Sequence, residues 1–137
     1  MIKTIAVTVA LALAFGVPAY AQDKAAPSSS KALFADMKAH APWDTSGDLL
    51  WTFYFVGPDK ADLQAVATLL AAKGYTVVDI RPQDKADKAA PALLQLQVEK
   101  VERLTPAKLD AREQELYTLA EGHGEVLYDG MDVGPAQ

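Results

Sequence analysis

A histidine flanked by acidic residues is the first candidate for chemistry in this sequence. His123 stands between two glycines, with Glu121 and Glu125 two residues away on either side, and Asp129 and Asp132 follow. Imidazole nitrogens and carboxylate oxygens are common ligands of zinc and calcium. These residues fall where a helix is predicted to end and a strand to begin, and such a turn points side chains in different directions. We therefore interpret the segment as a solvated turn and assign no metal ligand.

Other catalytic arrangements are not apparent in the sequence. There is no cysteine, which excludes thiolate nucleophiles, iron–sulfur clusters and cysteine zinc sites. No serine lies in a G-x-S-x-G elbow, and the glycines are dispersed rather than grouped into a phosphate-binding loop. Glu99 and Glu102 lie at odd spacing on a predicted strand, so their side chains diverge. We assign no catalytic residue and no cofactor, and we expect that the protein is not an enzyme.

The elements that position these residues follow from hydrophobic periodicity and turn signals. Leu49–Val56 is apolar and aromatic on both faces, which predicts a central strand. Asp59 is the expected N-cap of a helix whose stripe is Leu63, Val66, Ala67, Leu70 and Ala71. Gly74 is the expected left-handed residue after that helix. The next strand is predicted over Tyr75–Ile80, followed by a charged loop to Pro91.

The second half of the chain repeats the pattern of strand, helix and strand. Residues 92–104 alternate as a strand, with a β-bulge predicted at Glu99–Lys100 where the alternation slips. Thr105–Pro106 opens a helix, and Glu125–Tyr128 is the last predicted strand. We expect a turn at Asp129–Gly130 and a frayed end at Gly134–Pro135.

A short amphipathic helix over Lys31–His40, with Ser30 as its cap, precedes these units. The order is therefore helix, then β-α-β-β-α-β. That order predicts an α+β, ferredoxin-like fold with two helices on one face of a four-stranded antiparallel sheet.

The aromatic residues of the first strand suggest a binding surface. Trp51, Phe53 and Phe55 share one face, and Tyr54 lies on the other face between Thr52 and Val56. Exposed aromatic residues on a sheet bind bases in some nucleic-acid modules, but those sheets also carry basic residues. We interpret the first face as core and the face of Tyr54 as a candidate protein-binding surface.

The N-terminus has the pattern of a cleavable secretory signal. Lys3 precedes an uncharged apolar run over residues 5–17, and Ala19–Ala21 gives the small-x-small pattern of a cleavage site. The run is shorter than the roughly 20 residues of a membrane-spanning helix. We predict a signal peptide over residues 1–21, a flexible spacer over 22–30 and one domain over 31–134. The expected location is periplasmic or secreted, with no stable membrane span after cleavage.

The charge of the chain is acidic. The net charge is −5, and removal of residues 1–21 takes away one lysine and no acid, which leaves −6. An acidic surface disfavours direct nucleic-acid binding, which needs clustered lysine and arginine. A basic partner protein would suit this charge.

The order of motifs over residues 50–134 resembles the ribonuclease E inhibitor family of RraB type. The matching stretches are the aromatic strand LWTFYFV, the helix that ends at Gly74–Tyr75, the long strand LQLQVEKVERLTP, the helix LDAREQELYTLAE and the closing Tyr128–Asp129–Gly130. Met131 stands where the family commonly has tryptophan.

The resemblance implies a non-catalytic module that binds a protein partner, in the named case the scaffold portion of ribonuclease E. The candidate binding residues are Tyr54, Tyr128, Asp129, Gly130 and Met131. Two alternatives stay open: a small periplasmic metal-binding protein or enzyme that uses His123 and nearby carboxylates, and a ligand-sensing ferredoxin-like module. The oligomeric state does not follow from the sequence.

Overall fold

The computed structural model describes residues 29–83 and 92–136. These residues form three helices and four strands: α1 (Ser29–His40), β1 (Leu49–Gly57), α2 (Lys60–Ala72), β2 (Thr76–Pro82), β3 (Leu94–Glu102), α3 (Pro106–Glu121) and β4 (Leu127–Pro135). The sheet order is β2-β3-β1-β4 and all three pairings are antiparallel. This confirms the predicted ferredoxin-like fold. The predicted signal peptide and most of the predicted spacer lie outside the described residues.

Strand β1 is central because both of its edges are paired. Its inward side chains Trp51, Phe53 and Phe55 are 0% exposed, as the alternation predicted. The Trp51 indole N–H donates to the backbone carbonyl of Glu102 at 3.0 Å, which satisfies the only polar atom that this side chain brings into the core.

Helix α2 begins and ends at the predicted signals. The Asp59 side chain accepts a hydrogen bond from the Ala61 N–H at 2.8 Å, and Gly74 has φ +97° just after the helix. Most of the predicted stripe is buried, but Ala71 is exposed. The apolar face of the helix is therefore narrower than its periodicity suggested.

Helix α3 also has its predicted cap. Thr105 Oγ1 accepts from the Lys108 N–H at 3.1 Å, and Pro106 is the first helical residue, where its missing N–H costs no hydrogen bond. Leu109, Leu116 and Ala120 of this helix are buried in the core.

Helix α1 packs on the same core. Met37 is buried, and the Phe34 ring lies 5.8 Å from the Trp51 ring, centroid to centroid. The prediction that Ser30 caps this helix is wrong, because the helix already includes Ser29. The buried Ser30 hydroxyl instead donates to the Asp110 carboxylate of α3. None of the helices in the described part of the chain is long and apolar enough to cross a membrane.

The bulge predicted at Glu99–Lys100 is not present. Strand β3 pairs with β1 without interruption, from Glu102 opposite Leu49 to Leu94 opposite Gly57. The alternation slipped because Val101 lies on the face away from the helices, where it is 51% exposed. An apolar residue on an exposed face breaks the hydrophobic pattern without any change in the backbone.

The turn predicted at Asp129–Gly130 is also wrong. Strand β4 continues to Pro135, and Gly134 and Pro135 pair with β1 rather than fray. Tyr54 lies opposite Gly130 and Phe55 lies opposite Tyr128, so Asp129 is the extra residue of a β-bulge. Gly130 has φ +114°, which explains why glycine stands next to the bulge.

Candidate functional site: the outer face of the sheet

The candidate site is the face of the sheet that no described helix covers. The buried residues of all three helices join one core cluster with the inward residues of β1, so the helices share a single side. We call the opposite side the outer face. It carries Leu50, Thr52, Tyr54 and Val56 of β1, Gln95, Gln97, Glu99 and Val101 of β3, Thr76, Asp79 and Arg81 of β2, and Leu127, Gly130, Asp132 and Gly134 of β4.

Strand pairing arranges these side chains in rows, because opposed residues of paired strands point to the same side. Tyr54 lies in a middle row, between Gln97 of β3 and Gly130 of β4. The glycine has no side chain, so nothing on β4 screens the ring directly opposite. Tyr54 is thus the aromatic centre of the outer face, on the outward side where the alternation of β1 placed it.

One corner of the outer face is held by a guanidinium network. Arg81 donates to the Asp79 carboxylate and, at 3.0 Å each, to the side-chain carbonyls of Gln95 and Gln97. Three acceptors therefore engage the guanidinium group. This fixes the side chains of β2 and β3 in one arrangement and leaves the arginine less available to other ligands.

The next row has a small residue with one carboxylate on each side. Glu99 of β3 and Asp132 of β4 both lie directly opposite Thr52. Asp132 Oδ1 accepts from the Val133 N–H at 3.0 Å. Within residues 29–83 and 92–136, neither carboxylate forms an ion pair.

The electrostatic field at Tyr54 reflects these neighbours. Burial raises the pKa of the Tyr54 hydroxyl above its ordinary value, and Asp132 and Glu99 raise it further, whereas Arg81 opposes them. The outer face has three carboxylates in its rows, those of Asp79, Glu99 and Asp132, against one guanidinium. The face is therefore anionic at neutral pH.

Apolar side chains lie at both ends of the outer face. Val101 lies opposite Leu50 at one end, and Leu127 lies opposite Val56 at the other. Leu127 is 64% exposed, the largest value among the exposed large hydrophobic residues of the described chain. Exposed apolar residues rimmed by polar ones are typical of protein-interaction surfaces.

The two edges of the sheet are less suited to binding than its face. The edge strand β4 has its bulge at Asp129, and the edge strand β2 has a register shift at Val78 and ends at Pro82. Bulges and prolines interrupt the regular row of N–H and C=O groups that an added strand would need. Each edge of the sheet is therefore interrupted as a row of backbone groups.

The candidate residues near the C-terminus do not all belong to the outer face. Tyr128 is buried on the helix side, where its hydroxyl donates to Glu113 Oε2 of α3 at 2.6 Å. Burial raises the pKa of Glu113, and the hydrogen bond from Tyr128 partly offsets that effect. The rings of Tyr117 and Tyr128 meet edge to face at 4.9 Å. Tyr128 is therefore a core residue with a bonded hydroxyl.

The other three candidates next to Tyr128 have different environments. Asp129 is exposed at the bulge and accepts from the Gln83 side-chain amide at 3.4 Å. Gly130 lies on the outer face opposite Tyr54, and Met131 is half-buried against the core opposite Phe53. The structure thus brings Tyr54 and Gly130 together and separates them from Tyr128 and Met131.

The outer-face residues that the sequence interpretation did not place there are Asp132 and Leu127. Their shared signal is parity: each falls on the outward position of its strand once the pairing of β1 with β4 is known. Asp132 was grouped instead with His123 as a possible metal ligand. In the described part of the chain, no three histidine or acidic side chains are placed to hold a metal ion. The His123 Nδ1 lies 2.9 Å from the Leu119 carbonyl, at the end of α3.

A second charged group lies on the helix side, where β3 meets α3. Arg112 forms a two-point ion pair with Glu102, with nitrogen–oxygen distances of 2.6 and 2.9 Å. Burial alone raises the pKa of Glu102, but the hydrogen bonds and charge of Arg112 bring it below its ordinary value. The guanidinium also lies over the Tyr75 ring, 5.5 Å from its centroid. Each charge here has its partner, so this group serves to join β3 and α3.

Comparison with known proteins gives one family. A family model described as regulator of ribonuclease activity B matches residues 29–133. The match runs from the start of α1 almost to the end of β4, so it includes every described helix and all of the outer face except Gly134. No curated protein sequence matches the chain.

Proposed function

Since the chain belongs to the regulator of ribonuclease activity B (RraB) family, we propose that it is a non-catalytic regulator that binds a protein partner through the outer face of its sheet. The observation that carries the proposal is a face that no described helix covers, with Tyr54 at its centre and the exposed Leu127 at its border. When a partner buries these side chains, each Å² of apolar area removed from water contributes about 25 cal/mol to the free energy of binding. Binding of this kind inhibits or redirects an enzyme without any catalytic group on the regulator.

We also propose that the protein is exported, with cleavage after Ala21. The apolar run and the small-x-small pattern of residues 1–21 support this proposal. Fractionation and N-terminal sequencing test it. A periplasmic chain that starts near Gln22 removes cytoplasmic ribonuclease E as the partner and directs the search to envelope proteins. An intact Met1 in the cytoplasm contradicts export and restores ribonuclease E as the expected target.

The test of partner binding uses matched substitutions on the two sides of the molecule. Leu127→Asn changes the outer face, and Leu69→Asn makes the same change at an exposed site of α2, on the helix side. Both residues are exposed, so both variants should keep the thermal midpoint of the wild type within a few degrees. The binding assay uses two kinds of purified partner. One is ribonuclease E, and the other is any envelope protein that photocross-links to a probe at position 127.

We expect Leu127→Asn to weaken binding of the purified partner about ten-fold and Leu69→Asn to leave it unchanged, measured by calorimetry. Removal of an apolar side chain that carries binding energy typically costs more than 1 kcal/mol at an interface. Equal affinity of both variants, or equal weakening, would rule out the outer face as the binding surface.

A further inference from the structure

The outer face has a particular feature at its acidic row, a small residue set between two acids. Thr52 lies directly opposite both Glu99 and Asp132. Neighbouring strands are about 4.8 Å apart, so the backbones that carry the two carboxylates are roughly 10 Å apart across Thr52. Leu50 and Tyr54, the next outward residues of β1, close the row on its other two sides. Thr52 is itself only 8% exposed. We call the surface above it the hollow; it has carboxylates on two sides and Leu50 and Tyr54 on the other two.

The negative charge of this hollow is not neutralised by the described part of the chain. Glu99 and Asp132 form no ion pair there, and Arg81 is held by Asp79 and two glutamines. Asp132 and Glu99 both act on the Tyr54 hydroxyl and Arg81 opposes them, so a charge placed beside the ring meets two carboxylates and one guanidinium whose hydrogen bonds are already used. Two like charges facing one gap favour an occupant of opposite sign.

The shape of the hollow suits one kind of side chain. Lysine and arginine combine an apolar stem with a charged end, and the faces of aromatic rings attract such cations. We infer, on the basis of the function proposed above, that the protein partner presents a basic segment. A lysine or arginine side chain of this segment lies over Thr52, between Glu99 and Asp132. Its apolar stem packs against Leu50, and its charge lies beside Tyr54.

Other occupants fit the hollow less well. RNA would bring phosphates toward Glu99 and Asp132, and a second copy of this chain would bring the same two carboxylates against them. Like charges placed together at an interface disfavour association. An acidic or neutral peptide would leave both carboxylates without a partner in a partly buried contact.

The test maps defined probes onto the protein by NMR. The 15N-labelled chain, in the form recovered from cells, is titrated with a soluble pentapeptide that has lysine at its first, third and fifth positions and leucine between. A matched peptide has glutamine in place of each lysine, and a short RNA oligonucleotide is the third probe. We expect saturable shifts at the amides of Thr52, Glu99 and Asp132 with the lysine peptide alone. Shifts there with RNA, or equal shifts with the glutamine peptide, would overturn the inference.

The matched variants remove charge without changing shape. Glu99→Gln with Asp132→Asn should weaken the lysine peptide about two- to twenty-five-fold, because each exposed ion pair contributes roughly a factor of 1.5 to 5. The control pair Glu121→Gln with Glu125→Gln has the same change in net charge on exposed residues outside the outer face. It should leave binding unchanged. Equal weakening by both pairs would show attraction to net charge alone and would refute the site.

The purified partner separates this inference from the proposed function. If Leu127→Asn weakens the partner and the Glu99 and Asp132 pair does not, the outer face binds a partner that is not basic at this point. If neither change weakens it, the outer face is not the binding surface. Weakening by both, with a steeper salt dependence in the wild type than in the charge variant, supports both statements.

Discussion

Replacing Tyr128 by phenylalanine separates a structural role of this residue from a binding role. The change removes one hydroxyl and keeps the ring, which lies 5.5 Å from the Phe55 ring and 4.9 Å from the Tyr117 ring, centroid to centroid. Packing is therefore preserved. What is lost is the 2.6 Å hydrogen bond to Glu113 Oε2, and the carboxyl group stays half-buried without its donor.

The loss of stability caused by Tyr128→Phe depends on the charge of Glu113, because a hydrogen bond to a carboxylate is stronger than one to a neutral carboxyl group. A bond to a charged group contributes about 1.5–3 kcal/mol to stability, and a neutral one about 0.5–1.5 kcal/mol. Burial raises the pKa of Glu113 above its ordinary 4.5, so the folded state holds the proton more tightly than the unfolded state. The stability that this proton contributes is complete below pH 4.5 and is lost as the pH rises through the raised pKa.

The Tyr128 hydroxyl lowers the pKa of Glu113, so its removal raises that pKa further and enlarges the loss of stability with pH. We expect Tyr128→Phe to cost about 0.5–1.5 kcal/mol at pH 3.5 and about 1.5–3 kcal/mol at pH 8. Urea unfolding at both pH values, followed by tryptophan fluorescence, measures the difference. Partner affinity at pH 8 and 25 °C should not change, because the Tyr128 ring faces the core.

The control is a variant in which the side chain at position 113 cannot titrate. In Glu113→Gln, the side chain at position 113 keeps an acceptor but no longer titrates, so the cost of Tyr128→Phe should be the same at pH 3.5 and pH 8. The reasoning is refuted if the cost in the wild-type background is equal at both pH values. It is also refuted if the pH dependence survives in Glu113→Gln. Loss of partner binding by the folded Tyr128→Phe variant would instead favour a binding role.

Two further substitutions test the bulge and the ion pair. Gly130→Ala should cost about 1–2 kcal/mol because φ +114° is strained for a residue with a Cβ, although open space surrounds that position. Gly134→Ala on the same strand, with open space and no such φ, should cost less than about 0.5 kcal/mol, and equal costs in urea unfolding would contradict the bulge. Arg112→Met should cost about 1–3 kcal/mol at pH 7 because it leaves Glu102 without its partner. Since the pKa of Glu102 is lowered in the folded state, its stabilising contribution is present above pH 4.5 and is lost as the pH falls, so the cost should shrink at low pH; a constant cost would contradict this account.

The features that could be predicted from the sequence are those decided by a few neighbouring residues. The N-caps at Asp59 and Thr105 and the left-handed Gly74 were expected and observed, because each depends on hydrogen bonds within one turn of its helix. The burial of Trp51 and its neighbours likewise follows from strict alternation along one strand. The order of these elements was enough to predict the fold class.

The predictions that failed at β3 and β4 involve residues whose role depends on a distant strand. An aspartate followed by glycine is a common turn signal, but Asp129 and Gly130 form a bulge because β1 offers a partner to β4 as far as Pro135. Val101 broke the alternation of β3, yet the unbroken pairing with β1 kept the strand regular. Local propensity alone does not reveal how long a pairing partner is.

The candidate site shows the same division. Composition and periodicity by themselves determined an acidic α+β domain with Tyr54 on an outward strand position, since charge and alternation are properties of the chain in any conformation. Only the tertiary structure decided that Glu99 and Asp132 flank Thr52, and that Tyr128 faces the core while Gly130 faces outward. The physical reason is that sheet register is a relation between distant segments. The extra residue Asp129 breaks the alternation of β4, so Tyr128 faces the core and Gly130, two residues later, faces outward.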